Sequence, residues 1–162
     1  MDGNDRVAAF IQELDWDRLP ERVRRRARIC LLDNLGATLA GTLTPVSRIA
    51  AAYASETWGG EEATILLHRR RASAPGAAFA NACAGNALDI DDDAIFTKGH
   101  PGAQLFPAAL AAAEKAGASG KALLEALVIG YEVSIRAGRC WHDHHDIYQA
   151  CGSWGSVGSA AT

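Results

Sequence analysis

Four carboxylates, Asp89, Asp91, Asp92 and Asp93, fall within five residues, and the dipeptide His100-Pro101 follows them. Carboxylates this close repel one another, a cost that a fold offsets with a cation, a catalytic use or full solvation. Leu88 and Ile90 interleave with the acids, so part of the cluster is expected to lie against a core, which favours function over simple solvation. His100, able to take or give a proton near neutral pH, is the best general acid/base candidate on the chain. A calcium loop fits poorly, because the position that needs glycine is Ala94 and the one that needs an acid is His100. The Asp-rich magnesium sites of helical prenyl-transfer enzymes fit poorly too, since Asp92 and Asp93 are followed by Ala94, Ile95 and Phe96.

A second dense run, His142, Asp143, His144, His145 and Asp146, offers many metal-ligating atoms. Adjacent residues point apart, however, and zinc usually draws its ligands from one helical face or from separate elements, so a solvated or interface loop is the better reading. A metal-dependent hydrolase joining the Asp cluster to His142, His144 or His145 remains as an alternative. Gly152, Gly155 and Gly158 form no phosphate loop, as no lysine follows them. Their amides at a helix start can still meet a carboxylate.

The elements that must position these groups read as helices. Val7, Phe10, Ile11 and Leu14 form one stripe within Asp5–Trp16. After Pro20, the residues Val23, Ala27, Cys30, Leu31, Leu35 and Leu39 keep a helical period with Arg24, Arg25 and Arg28 facing away, and Gly36 and Gly41 mark close packing and an end. A turn at Thr42–Pro45 leads to a helix over Ser47–Glu56, which Gly59 and Gly60 break. Ala63–Leu67 predicts one brief strand. Ala-rich helices follow over Gly76–Leu88 and Leu105–Ala116. Ser119 then caps a helix striped by Leu124, Leu127, Val128, Tyr131 and Ile135. The prediction is a mainly α chain forming one domain or part of one, over residues 1–162, with at most a short strand near 63–67.

With 162 residues and 49% hydrophobic content, the chain can bury an ordinary core. Its net charge of −3 gives no general attraction to nucleic acid. The basic runs Arg24–Arg26 and His68–Arg71 read as solvated faces. Apolar runs are broken well short of a membrane span, and no signal peptide is visible, so neither a membrane nor a secreted setting is expected. Cys30, Cys83, Cys140 and Cys151 show no metal or redox spacing and read as reduced thiols of a cytoplasmic protein. The small-residue helix start after Gly152 runs to Thr162 with no cap or charged tail, which predicts a portion of a longer protein.

Four ordered blocks resemble one family. Asn81–Pro107, reading NACAGNALDIDDDAIFTKGHPGAQLFP, is similar to the acid-rich and His-Pro stretch of the MmgE/PrpD (2-methylcitrate dehydratase-like) enzymes. Ala27–Gly41 resembles their first long helix, Glu61–Ala82 their strand and next helix, and Ala118–Arg139 continues in register. The family includes 2-methylcitrate dehydratase, cis-aconitate decarboxylase and iminodisuccinate epimerase. These have a large helical domain and a smaller lid, are typically dimers and need no iron-sulfur cluster. The resemblance implies a small di- or tricarboxylic acid substrate, no cofactor, no metal and a homodimer.

Carried over by position, the resemblance makes Asp89 and His100 catalytic and puts Asp92 and Asp93 beside the substrate. The family often has threonine where Asp93 stands, and this loop is one residue longer before the histidine than in some members. Asp146–Ala161 resembles a second catalytic block, with Gln149 in the place of a histidine and Gly152 following it; both are expected to touch substrate. Glutamine can hydrogen-bond a carboxylate but cannot exchange a proton near neutral pH. The tryptophan and glycine spacing leans towards the epimerase-like branch. The family's later lysines and tyrosine have no counterpart in these residues, so the chain by itself is expected to be a catalytically silent helical or dimerisation module.

Overall fold

A computed structural model describes residues 2–148 and 151–162. Among the described residues it contains seven α-helices, one 3-10 turn and a two-stranded antiparallel sheet, so the chain is mainly α as predicted. Helix α1 (Gly3–Glu13) opens with a reciprocal capping box between Asp2 and Asp5. It buries no residue, and the expected stripe is left outward at Val7 and Phe10. The chain is anchored instead by the 3-10 turn Trp16–Arg18. Trp16 is buried, its amide donates to Glu125 Oε1 at 2.8 Å, and Arg28 lies over its ring.

Helix α2 (Glu21–Gly41) and α3 (Pro45–Thr57) meet at 94°, with Thr44 capping α3 and Pro45 at its first turn. Helix α4 (Ala74–Asn86) runs through the centre, against α2, α3 and α5. Its alanines make that possible: Ala77, Ala80 and Ala84 are almost wholly buried, and short side chains let neighbouring backbones approach. The closest approach is at Gly41, where a Cβ would lie 1.8 Å from the carbonyl oxygen of Ala84. Gly36 differs from its sequence reading, since nothing lies within 4 Å of a Cβ built there; it is an exposed helix position, not a packing contact.

The predicted strand exists as β1 (Ala63–Ile65), and it pairs with an unforeseen β2 (Arg70–Ala72). Buried Asn81 of α4 fixes β1 by accepting from the Leu66 amide and donating to the Thr64 carbonyl, both at 2.9 Å. Helix α5 (Gly102–Ala116) ends on Gly117, whose φ of 62° suits glycine. Helix α6 (Gly120–His144) starts at the predicted Ser119 cap and buries Leu127 and Val128 of the predicted stripe. Helix α7 (Cys151–Ala161) lies along α6 and α5, where a Cβ at Gly158 would strike Ser134 and one at Gly155 would strike Gln104. No single helix among the described residues is long and apolar enough to cross a membrane.

Candidate active site

The acid cluster and His100 share the connection between α4 and α5, residues 87–101. Three ties hold this segment. Thr97 is fully buried beside Gly138 of α6, where a Cβ would meet its methyl at 2.8 Å. Ala94 and Gly99 form a β-bridge, closing a small loop that needs a left-handed Lys98. Asp92 spans the base of α5: one carboxylate oxygen accepts from the Gly102 amide at 2.8 Å, and the other accepts a very short hydrogen bond from the Tyr131 hydroxyl. Pro101 precedes that helix and lacks both an amide proton and a side-chain acceptor, so Asp92 does the capping.

Behind Asp92 is a polar strut. The buried Asn34 amide nitrogen on α2 donates to the Cys30 carbonyl at 2.8 Å and to the Tyr131 oxygen at 3.0 Å. Gly102 must be glycine here, because a Cβ would fall 2.1 Å from Asn34. Burial, reinforced by the Asp92 charge, pushes the Tyr131 phenol far above its ordinary pKa, so it stays protonated and remains a donor. The strut thus joins α2, α6 and the start of α5 at one point.

His100 emerges from this base with its side chain 28% exposed. Its backbone amide donates to Cys151 Sγ at 3.0 Å, which sets the ring beside the first turn of α7. Ring Nδ1 is 3.3 Å from Asp91 Oδ2 and 3.3 Å from the Asp91 carbonyl oxygen, while Nε2 is 3.6 Å from Asp89 Oδ1. Asp89 is exposed and adopts a left-handed backbone with φ of 54°, which turns the chain so that its carboxylate comes back towards the ring. Asp91 is buried, and that desolvation pushes its carboxyl above the ordinary range, against lesser pulls downward from its own amide, His100 and Asn86.

The structure therefore joins His100 with Asp89 as expected by position, and adds Asp91. It uses both oxygens of Asp92 in holding the loop, and it leaves Asp93 exposed. Asp93, with Asp92 and Pro101, lines an open groove of about 920 Å³ between α2 and α6 together with Arg22, Arg26, Arg136 and Arg139; His100 is not among its lining residues. Gly152 is exposed in the first turn of α7, next to the Cys151 that holds His100, and Gln149 lies outside the described residues. Part of the acid cluster lies against the core as expected, through buried Asp91, while Leu88 and Ile90 are themselves exposed.

Among the described residues, Asp89, Asp91 and His100 can bring three donor atoms within 4.8 Å of one another. Asp91 lies nearest Nδ1 and Asp89 nearest Nε2, an arrangement that also suits hydrogen bonding and proton transfer through the ring. Among the described residues, His142, His144 and His145 join no such group. Trp141 stacks on His145 and His142 on Tyr148, so two of these histidines serve as aromatic surfaces at the end of α6.

Comparison with known proteins agrees with the resemblance. The family described as MmgE/PrpD N-terminal domain matches residues 5–162. The cis-aconitate decarboxylase-like protein oryM of Aspergillus oryzae (strain ATCC 42149 / RIB 40) is 31% identical over 136 residues, which are 80% of this chain and 28% of that protein. The chain thus spans little more than a quarter of this curated relative.

Proposed function

The chain belongs to the MmgE/PrpD family, and on that premise we propose that it supplies the acid–base part of an enzyme that moves a proton at a carbon next to a carboxylate of a small di- or tricarboxylic acid. The observation that supports this most is the setting of His100: Nδ1 is engaged from below by Asp91 while Nε2 is on the side of exposed Asp89. Nε2 takes the proton as the C–H bond breaks, and the electron pair passes into an enediolate. Delivery of a proton to the opposite face by a second acid is epimerisation, and expelling a β-hydroxyl as water, with the proton given by the imidazolium, is dehydration. In decarboxylation the pair comes from the C–CO2 bond, and the imidazolium gives its proton to the carbon. The α7 amides around Gly152, at a helix N-terminus beside His100, suit a substrate carboxylate.

The enediolate needs cationic neutralisation as well. This part of the site holds acids, so we assign the cations to chain beyond these residues, and the 162 residues alone are expected to be inert. The test is deuterium incorporation into a panel of di- and tricarboxylic acids in D2O by protein expressed from the full open reading frame. H100Q should slow exchange by about 100-fold or more. Undiminished exchange in H100Q would sink the reading.

A second role, self-association, is favoured by the outer face of α3. Val46, Ile49 and Tyr53 lie on one side of it, exposed, and Tyr53 continues into an edge-to-face cluster with Trp58 and Phe79. We place the protein in the cytoplasm as a homodimer, in keeping with four unpaired cysteines.

A further inference from the structure

We propose that Asp91 is the positioning residue of His100: its carboxylate and its own carbonyl together hold Nδ1, which leaves Nε2 as the nitrogen that exchanges a proton with substrate. The inference rests on the acid–base reading of His100 and adds Asp91 to it.

Burial is the first argument. The Asp91 side chain is 0% exposed, yet its neighbours Leu88 and Ile90 are 45% and 56% exposed. A segment that buries an acid and leaves isoleucine in water opposes the hydrophobic effect, and Asp is rarely buried without a partner. Among the described residues, neither Asp91 oxygen accepts a hydrogen bond of good geometry, and the ion-pair contact it makes is to His100 Nδ1 at 3.3 Å.

The carbonyl supplies the second argument. A carbonyl oxygen only accepts, so a hydrogen bond across its 3.3 Å contact with Nδ1 favours the proton on Nδ1. Neutral His100 is then the Nδ1–H tautomer, with the Nε2 lone pair free. When Nε2 takes a proton, positive charge spreads over the ring and reaches Nδ1, beside a carboxylate in a low-dielectric setting. Exclusion completes the case. Asp92 is committed to Gly102 and Tyr131, Asp93 lines a groove that His100 does not, and Asp89 is on the Nε2 side that the substrate would share.

Ring-nitrogen NMR on the 15N-labelled 162-residue chain reads the tautomer without any turnover. The wild type is expected to carry the neutral-ring proton on Nδ1, and a ring protonated at Nε2 overturns the proposal with no variant needed. In D91N the residue-91 carbonyl still favours Nδ1–H while the new amide can offer its own N–H to Nδ1, so the share of rings protonated at Nε2 should rise. In protein from the full open reading frame, D91N should lower kcat about 100-fold with KM changed by less than about threefold. A D91N ring still protonated at Nδ1, with kcat within about threefold of wild type, overturns the proposal. Undiminished turnover in H100Q sinks the acid–base reading instead and leaves the tautomer result standing, so the two failures are distinguishable.

Discussion

Asp91 and Tyr131 show how differently two buried polar groups can bear on stability. An aspartate whose carboxyl is pushed up in the folded state binds its proton more readily there than in the unfolded chain. Its contribution to stability is complete below the ordinary carboxylate range and is lost as pH rises through the folded value. At pH 7 the ionised group therefore weakens the fold, and D91N should be more stable than wild type by about 1 kcal/mol, or ~2–4 °C in Tm. The gain should shrink as pH is lowered towards 4, which thermal scans across that range will show. A loss of stability at pH 7 would instead mean that Asp91 is retained for the fold. Tyr131 has the opposite sign. In Y131F the Asp92 oxygen loses its donor and the Asn34 amide loses one acceptor, at a cost of about 1–3 kcal/mol by urea unfolding with unchanged m. Residue types and spacing made His100 and its acids visible as a group. They could not reveal which acid was buried, because that depends on how the loop turns at Asp89 and on a strut built from Asn34 and Tyr131, each distant in sequence and individually ordinary.

The helices were legible from their apolar period, and α6 begins at its predicted Ser119 cap, whereas the expected starts of α3 and α5, Ser47 and Leu105, fall two and three residues inside Pro45 and Gly102. β2 was not, because its turn carries no local signal. Leu67 and Arg69 both adopt left-handed backbone without glycine or asparagine, and tertiary ties make up the difference, including the 2.8 Å contact of the His68 ring with Ser47 and the grip of Asn81 on β1. Glycine shows the same limit, since Gly36 and Gly41 look alike in sequence and sit five residues apart on α2. G41A should push α2 from α4, because the obstacle is the backbone carbonyl of Ala84, and lose about 1–3 kcal/mol. G36A meets open space in a helix interior and should gain about 0.5–1 kcal/mol. Parallel denaturant titrations of both variants check the contrast, and a shared sign would mean that the α2–α4 crossing is not as close as described.

At the scale of the whole molecule, the uncovered apolar surface is the feature that still needs a physical account. Ile49 is 68% exposed and Leu43 81%, and the Tyr53, Trp58 and Phe79 rings already contact one another, so the face from α3 onto α4 is continuous and preorganised rather than a scatter of single residues. A patch of this kind favours association, and with a net charge of only −3 there is little long-range repulsion to oppose it. If two copies meet through this face, a lysine at its centre would place two like charges in a desolvated contact, which is far more damaging than the lost isoleucine contacts. Sedimentation equilibrium of the wild-type chain should therefore show a dimer, and I49K should weaken it at least about tenfold in Kd while changing monomer stability by no more than about 0.5 kcal/mol, as for other exposed positions. A wild-type chain that remains monomeric to high concentration, or an I49K dimer as tight as wild type, would exclude this face as the site of self-association.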